Sequence, residues 1–242
     1  MARRRFFVEA IHSGLAEVTG EDAHHLTRVL RVEPGQRYEI SDNRNVYLAE
    51  VTTAQKARVV FQTVETVALS PPPAWVILLV SLIKFDHFEW MLEKCTELGA
   101  ARIVPVVAER TEKGLDRAAE RRSPRWRRIV LEASQQSRRD QLPELSSPIR
   151  WDTAIRTTAA ARLLLDEART APQLPNALPA GTREVALLVG PEGGWTARES
   201  LQAHEHGWTP VSLGPQILRA ETAAMAATAL VISLAASWIP PS

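Results

Sequence analysis

Cysteine is almost absent from the sequence, and this scarcity excludes several classes of protein. Cys95 is the single cysteine among 242 residues, so the chain forms no intrachain disulfide and holds no cysteine-rich zinc site. A chain without disulfides suits a reducing compartment. The arginine-rich N-terminus is followed by no apolar segment of the kind that a signal peptide contains. We therefore expect a cytoplasmic protein.

The usual nucleotide-binding and metal-binding signatures are absent too. The glycine-containing loops hold neither G-x-G-x-x-G nor the lysine of a P-loop, so a nicotinamide or ATP site is poorly supported. His24–His25 and His204/His206 have no cysteine or acidic partners at ligand spacing, so we expect no metal ion. For His25, contact with RNA and packing between domains both stay open.

Lysine is scarce as well, and arginine, the dominant cation, is concentrated in one segment. Eight arginines lie between Arg117 and Arg139, against only Glu120 and Glu132. Such a block suits a polyanion such as RNA. A solvated helix face explains it equally well, and charge alone does not choose between the two. With 45% hydrophobic and 24% charged residues, the composition is otherwise that of an ordinary globular protein.

A run of prolines, Pro71–Pro73, divides the sequence into two parts with different patterns. Before it, short segments with alternating apolar residues are separated by turn signals such as "EPGQ" at 33–36, and residues 21–32 read as a helix. After it, apolar strands alternate with amphipathic helices, which indicates a parallel sheet covered on both faces. We predict a small β-barrel domain over residues 1–72 and an α/β domain over residues 73–242.

Capping signals predict where helices of the second part begin. Asp86 with Glu89 has the pattern of a capping box, before a helix that ends at Gly99. Ser123–Pro124 places a cap and a first-turn proline ahead of the arginine-rich helix. Near the C-terminus, residues 222–239 carry no charge, a length at which a membrane span is considered. Because this run is rich in alanine, serine and threonine, we expect a buried or subunit-interface helix instead.

The most informative stretch is "LLVGPEGGWTARES" at residues 187–200. A short apolar strand ends in Gly190, a glycine loop follows, and Thr196 with Glu199 predicts a capping box that starts a helix. Strand, glycine loop and helix are typical of phosphate-binding sites, in which backbone N–H groups hold the anion. Glu192 in the middle of this loop would repel a phosphate. The loop therefore favours a ligand that is not an anion.

A second glycine–proline loop, in "SLGPQILRAETAAMAA" at 212–227, follows another predicted strand. Arg219 and Glu221 stand where this loop opens into an alanine-rich helix. Both loops leave the carboxyl ends of predicted parallel strands, which is the edge at which open α/β sheets bind ligands. We expect the two loops to contribute to one site.

These two segments resemble the hallmark motifs of the SPOUT methyltransferases, in particular the ribosomal RNA family that methylates N3 of a uridine in small-subunit (16S) RNA. Residues 24–42 are similar to that family's N-terminal PUA-like domain, and residues 89–111 and 125–139 to its central segments. The resemblance implies an α/β SPOUT methyltransferase domain with a trefoil knot, preceded by a PUA-like RNA-binding β-barrel. It also implies S-adenosylmethionine as cofactor, a homodimer with active sites at the subunit interface, and the assembled small subunit as substrate.

The resemblance implies that three loops surround the cofactor, whose sulfonium and ammonium groups tolerate a nearby glutamate. The expected cofactor-binding residues lie after the strand "LLLDE" and in the two glycine loops: Leu165, Asp166, Gly190, Glu192, Gly193, Gly194, Leu213, Gly214, Ile217, Leu218 and Thr222. Ala220 stands where threonine is common in the family, and we expect no loss of activity from it.

Methylation of N3 requires loss of its proton, because a neutral N3 between two carbonyl groups is a poor nucleophile. Arg219 is our first candidate for stabilising the resulting anion, and Arg138 is the second, reaching across a dimer. Glu192 or Glu221 would receive the proton or orient the arginine. Glu221 has an equally open structural alternative. It would pair with Arg219, or it would stabilise the start of the last helix through the helix dipole.

Basic residues outside the loops are candidates for phosphate contacts, which set the register of RNA without reading its bases. They are Arg3, Arg4, Arg5, His25, Arg28, Arg31, Arg125, Arg128 and Arg139. Two other functions stay open: ribose 2′-O-methylation of RNA, and RNA binding in ribosome assembly without catalysis. The intact glycine loops argue against the latter, and the PUA-like first domain argues against the former.

Overall fold

The structure is a computed structural model, and it describes residues 4–168 and 170–238. Arg3, a candidate RNA contact, lies outside the described residues. The described chain divides into two compact units. The first unit consists of the described residues up to Pro71 and the segment Ser134–Leu142. The second unit consists of Pro72–Ala133 and the described residues from Pro143 onward.

The first unit is built on a six-stranded sheet with one helix, α1 (Gly20–Arg28). The strand order is β1-β4-β5-β6-β3-β2, and every pair is antiparallel except β1 with β4. The strands are β1 (Arg5–Phe7), β2 (Ile11–His12), β3 (Leu15–Thr19), β4 (Arg37–Ser41), β5 (Val46–Gln55) and β6 (Arg58–Val67). The alternating segments of the sequence form strands, as predicted, and these pair in a mostly antiparallel sheet, while its closure into a barrel stays a prediction.

Helix α1 packs on the sheet of the first unit and is shorter than predicted. Ala23 and Leu26 on α1 are buried against the sheet, beside Val59 and Phe61 of β6. The helix was predicted to run through residue 32, but it ends at Arg28, and Arg31 has a positive φ of 53°. A left-handed residue cannot continue a right-handed helix, so the chain turns there.

The segment Ser134–Leu142 is held in the first unit by a buried arginine. The Arg5 side chain is 8% exposed, forms an ion pair of 2.8 Å with Glu39 and another with Asp140, and donates a 2.8 Å hydrogen bond to the Arg138 carbonyl. Ser41 donates to the Asp140 carbonyl at 2.7 Å. Arg5 therefore joins two distant parts of the sequence, and its buried guanidinium serves the fold instead of the RNA contact predicted for it.

The second unit contains a parallel sheet of seven strands. Its order is β10-β8-β7-β12-β11-β13, with β9 also paired to β8. The strands are β7 (Trp75–Ser81), β8 (Arg102–Val107), β9 (Glu144–Leu145), β10 (Ile149–Arg150), β11 (Ala161–Leu165), β12 (Glu184–Val189) and β13 (Thr209–Val211). The helices are α2 (Phe85–Glu97), α3 (Leu115–Gln136), α4 (Trp151–Ala154), α5 (Leu174–Ala177), α6 (Ala197–Glu205) and α7 (Ala220–Ser237). The predicted parallel α/β arrangement is confirmed.

Alternate residues of the central strands enter two different cores, so the sheet is covered on both faces. On one face Val76, Leu78 and Val80 of β7 pack in the core that includes residues of α2, α3 and α7. On the other, Ile77 and Leu79 pack in the core that includes α4 and Trp208. Burial on both faces is the reason that the strand sequences are continuously apolar.

Two helix starts differ from the capping predictions. The N-cap of α2 is Lys84, without a side-chain cap, and the predicted cap Asp86 lies inside the helix. Glu89 forms ion pairs with Arg122 at 2.9 Å and Arg125 at 2.8 Å. Helix α3 begins at Leu115 and contains Pro124 in its interior. Buried Ala119 and Trp126 anchor α3 on either side of this proline, so packing maintains the helix despite the lost backbone hydrogen bond.

The charge-free C-terminal run forms α7, which by length and composition alone is apolar enough to cross a membrane. In the structure α7 packs against β7, β12 and α2. Ala224, Ala227 and Val231 are buried in the core of the second unit. Small side chains allow this close packing of a helix against its neighbours, which accounts for the alanine-rich composition.

The single cysteine provides a test of this core. Cys95 is fully buried on α2, 3.9 Å from the Thr228 hydroxyl of α7, and burial raises the pKa of its thiol to about 12. Because the thiolate is the reactive form, we expect the native protein not to react with a thiol reagent at mildly alkaline pH. The same reagent should label one thiol per chain after unfolding in guanidinium. Rapid labelling of the native protein would contradict this packing.

Candidate ligand site at the edge of the parallel sheet

Three loops leave the same edge of the parallel sheet, because β12, β11 and β13 are adjacent and point the same way. Together with the N-terminal ends of α2 and α7 they surround a cleft of about 660 Å³. Clefts of this size hold small molecules and cofactors. The cleft lies wholly within the second unit.

Trp195 connects the first loop, which follows β11, to the second loop, which follows β12. Its indole Nε1 donates a 3.1 Å hydrogen bond to the Leu165 carbonyl at the end of β11, and its ring lies 4.9 Å from the Trp151 ring. A Cβ on Gly190 would lie 3.1 Å from the Trp195 ring. A larger residue at the end of β12 would therefore require the indole to shift by a few tenths of an ångström.

The second loop is closed by a turn and fixed by the helix that follows it. Gly194 has a φ of +68° and donates to the Pro191 carbonyl at 2.8 Å. The predicted capping box is confirmed: Thr196 caps α6 and Glu199 completes the reciprocal bonds. Glu199 is fully buried and also accepts the Glu109 backbone N–H at 2.8 Å, which anchors this end of α6 to the chain after β8.

The third loop presents apolar side chains to the cleft. Ser212 and Gly214 exchange hydrogen bonds of 3.0 and 3.2 Å at the end of β13, and Gly214 has a φ of +132°. Beyond this turn Ile217 is 79% exposed and Leu218 is 36% exposed. Exposed apolar side chains that line a concave cleft are typical of a binding site.

Most residues predicted to bind a cofactor line this cleft. They are Leu165, Asp166, Gly190, Glu192, Gly194, Leu213, Gly214, Ile217 and Leu218. Gly193 and Thr222 are not among the lining residues that the structure describes. The Gly193 carbonyl instead accepts a 2.5 Å hydrogen bond from Arg110.

The predicted catalytic residues separate into two groups. Glu192 and Arg219 line the cleft, and Arg219 is the exposed N-cap of α7. Glu221 is buried in the first turn of α7. Its partner is not Arg219 but His87, whose Nδ1 lies 3.0 Å from Glu221 Oε1. Arg138 belongs to the first unit, and the described cleft does not include it.

Lys84 and His87 also line the cleft, although neither was predicted from the sequence. Both lie directly after β7, in "IKFDHF", at the start of α2. β7 pairs with β12 in the parallel sheet, so its carboxyl end meets the same edge as the glycine loops. Their position after a buried parallel strand is the sequence signal that would have identified them as candidate site residues.

The residues predicted to bind RNA have different environments. Arg4, His25, Arg28 and Arg31 are exposed on the first unit. Arg125 is bound to Glu89, and Arg128 pairs with Glu132 at 2.9 Å along α3. Burial lowers the pKa of the Arg139 guanidinium to about 10, against the opposing effect of Asp140, so Arg139 is charged at neutral pH.

The described residues contain no group of three or more histidine, cysteine, aspartate or glutamate side chains that would hold a metal ion. The polar side chains that line the cleft are instead a mixture of carboxylates, hydroxyls, an amide, a histidine and the cations of Lys84 and Arg219. This mixture suits an organic ligand with cationic and polar groups.

The fold and the cleft define a ligand-binding α/β protein with a separate small, mostly antiparallel domain. Comparison with known families is more specific. Residues 70–232 match the family described as the RNA methyltransferase domain, and residues 18–64 match the RNA methyltransferase PUA domain. The chain belongs to this family of RNA methyltransferases.

Similar proteins span nearly the whole chain. The Ribosomal RNA small subunit methyltransferase E of Synechocystis is 35% identical over 236 residues, covering 93% of this chain and 75% of that protein. The protein of the same name from Bacillus subtilis is 28% identical, covering 94% of this chain and 95% of that protein. A crystal structure of this methyltransferase from Neisseria gonorrhoeae, bound to S-adenosylmethionine, superposes with a TM-score of 0.87 at 30% identity and covers 96% of this chain and 98% of that chain.

A second solved structure, a methyltransferase from Legionella pneumophila, also contains bound S-adenosylmethionine. Its TM-score is 0.87 at 27% identity, and it covers 96% of this chain and 98% of that chain. Two similar proteins of this fold thus hold the same cofactor.

The close contact at Gly190 gives a prediction for the site. In Gly190→Ala the added Cβ would press on the Trp195 ring and displace its bond to Leu165, so we expect a loss of about 1–3 kcal/mol in unfolding free energy. Gly193→Ala is the matched control, because its Cβ would meet only the flexible Arg110 side chain, and we expect a change within about 0.5 kcal/mol. Urea denaturation measures both, and equal effects would contradict the role of Trp195.

Proposed function

We propose that this protein methylates N3 of a uridine in the RNA of the small ribosomal subunit, with S-adenosylmethionine as methyl donor. One observation carries the proposal: the loops that follow β11, β12 and β13 line one cleft. These are the three loops that the sequence predicts to bind this cofactor. The similar proteins named for small-subunit ribosomal RNA supply the class of substrate. A cytoplasmic location follows from that substrate.

The cleft fits the cofactor chemically. Asp166, Glu167 and Glu192 line it, which suits a ligand with sulfonium and ammonium cations and disfavours a phosphate. The exposed side chains of Ile217 and Leu218 offer apolar contacts to an adenine ring. When bound, S-adenosylmethionine supplies an electrophilic methyl group on sulfur.

Arg219 has the position required of an anion-stabilising residue. It is exposed at the N-cap of α7 and lines the cleft, and its guanidinium has no hydrogen-bond or ion-pair partner among the described residues. Loss of the N3 proton spreads negative charge over the O2 and O4 atoms of uridine. A guanidinium held beside these atoms stabilises that charge more in the transition state than in neutral uridine.

Further features of the proposal extend beyond the cleft. The first unit, with its exposed Arg4, His25, Arg28 and Arg31, positions the RNA through phosphate contacts. The assembled small subunit is the substrate, and two copies of the chain form a homodimer in which Arg138 of one copy serves the other's active site. The loops at the cleft belong to a trefoil knot.

A direct assay tests the proposed activity. Small ribosomal subunits from cells lacking the gene are incubated with the purified protein and methyl-labelled S-adenosylmethionine, and the label is located by reverse transcription. Methylation of N3 blocks the Watson–Crick edge of the base, so we expect a new stop at one uridine. Label without a stop, in an alkali-resistant dinucleotide, would indicate ribose methylation. If the protein binds the cofactor but transfers no label, the result would favour RNA binding in ribosome assembly without catalysis.

Arg219 provides a mutational prediction for this activity. Because it would stabilise charge in the transition state, Arg219→Gln should lower kcat by about 100-fold to 1000-fold, while calorimetry should still detect cofactor binding. Arg198→Gln is the control, since Arg198 is an exposed arginine paired with Glu109 outside the described cleft, and it should retain full activity. A wild-type kcat in Arg219→Gln would show that Arg219 does not stabilise the transition state.

A further inference from the structure

We propose that His87 accepts the N3 proton of the substrate uridine and that Glu221 is the positioning residue that orients its imidazole. The proposal rests on the proposed function and assigns its proton acceptor. His87 thus takes the role of proton acceptor for which the sequence suggested Glu192 or Glu221.

The hydrogen bond between the two side chains determines which imidazole nitrogen is available. His87 Nδ1 lies 3.0 Å from Oε1 of Glu221. An ionised carboxylate accepts hydrogen bonds and donates none, so the proton of a neutral His87 resides on Nδ1. Nε2 then carries the free lone pair, which is the form that a general base requires.

Glu221 is well placed to hold this tautomer. It is 3% exposed and lies in the first turn of α7, where the helix dipole favours a negative charge. Its second oxygen, Oε2, has no hydrogen-bond partner among the described residues. Its one described partner is His87, so the buried carboxylate and the imidazole form a pair in which each fixes the other.

His87, in contrast, is accessible to a substrate. Its side chain is 28% exposed and lines the same cleft as Arg219 and the glycine loops. Phe88 and Met91, fully buried on α2, hold this helix against the core. The imidazole is thus carried by a rigid element and opens onto the site at which the cofactor is proposed to bind.

The charged groups around His87 leave Nε2 available. On its own segment are Lys84, which lines the cleft, and Asp86, whose Oδ2 lies 3.7 Å from Nε2. That separation exceeds a hydrogen bond, and the Asp86 side chain is 77% exposed, so water solvates its carboxylate. From α7 come Glu221 and Arg219. The remaining acidic residues that line the described cleft are Asp166, Glu167 and Glu192.

The other carboxylates of the cleft are less suited to take the proton. Asp166 already accepts the Ala168 backbone N–H at 2.9 Å. Glu192 lies exposed in its loop, where water solvates it. An ordinary carboxylate is also a much weaker base than an imidazole, and the N3 proton of uridine is only weakly acidic.

The reaction balances with these residues. The N3 proton moves to His87 Nε2, and the electron pair left on N3 forms the bond to the methyl carbon as the carbon–sulfur bond breaks toward sulfur. Arg219 stabilises the charge on O2 and O4 before transfer, and Glu221 stabilises the imidazolium that results. His87 later releases the proton to solvent through its exposed edge.

The first test requires neither cofactor nor RNA. The nitrogen chemical shifts of the histidine rings, measured by NMR on ¹⁵N-labelled protein, report which nitrogen carries the proton, and His87→Gln identifies the His87 signals. We expect His87 to be the Nδ1–H tautomer when neutral. In Glu221→Gln the amide can donate or accept, so this preference should disappear. An Nε2–H tautomer in the wild-type protein would refute the proposal, as would an unchanged tautomer in Glu221→Gln.

The second test measures methyl transfer as a function of pH. General base catalysis contributes about 100-fold to 10,000-fold, so His87→Gln should lose at least about 100-fold in kcat near neutral pH. Its rate should approach the wild-type rate in alkaline solution, where uridine loses the N3 proton to solvent. His204→Gln is the matched control, because His204 is exposed on α6 and is not among the described lining residues.

The outcomes separate this inference from the proposed function. If the wild-type protein methylates no uridine at N3, the proposed function fails. If the wild type is active and His87→Gln matches it near neutral pH, only the proton-acceptor role fails. A loss of cofactor binding in His87→Gln, measured by calorimetry, would make His87 a binding residue and overturn the inference, as would a deficit that is the same at every pH.

Discussion

The parallel pairing of β11 with β12 on one side and β13 on the other is the constraint on which the site depends. It places three chain reversals at one edge of the sheet, although the loops are far apart in sequence. The Trp195 indole then fixes two of these loops to each other through the Leu165 carbonyl. Apolar burial on both faces of the sheet holds the pairing in place, so the stability of the core and the geometry of the cleft have the same origin.

The residues that line the cleft differ in chemistry. Around the glycine loops it is lined by backbone groups, carboxylates and exposed apolar side chains, which suit an uncharged ring and cationic groups. Near the start of α7 it holds Arg219 and the His87–Glu221 pair. Two helices supply these residues: α2 carries His87, and α7 carries Glu221 behind its N-cap. Their close packing, which the small residues of α7 allow, brings the carboxylate within hydrogen-bonding distance of the imidazole.

Arginines with similar sequence surroundings serve different purposes in this protein. Arg5 is buried between two carboxylates and holds Ser134–Leu142 in the first unit. Arg122 and Arg125 neutralise the nearly buried Glu89. Arg4, at the neighbouring position to Arg5, is exposed. A count of basic residues therefore overstates the surface available to RNA, because part of that charge is used inside the fold.

The sequence by itself predicted the alternation of strands and helices in the second unit and the loops that line the cleft. Apolar runs bounded by glycine predict the parallel strands, the Thr196–Glu199 box sets the start of α6, and Glu192 in a glycine loop disfavours a phosphate ligand. These signals are local, acting through backbone propensity within a few residues. Tertiary structure alone decided that Pro124 lies inside a helix, that Glu89 binds arginines instead of capping α2, and that Glu221 pairs with His87. Each of these depends on which side chains meet across elements distant in sequence, and burial and charge pairing there outweigh the local preference.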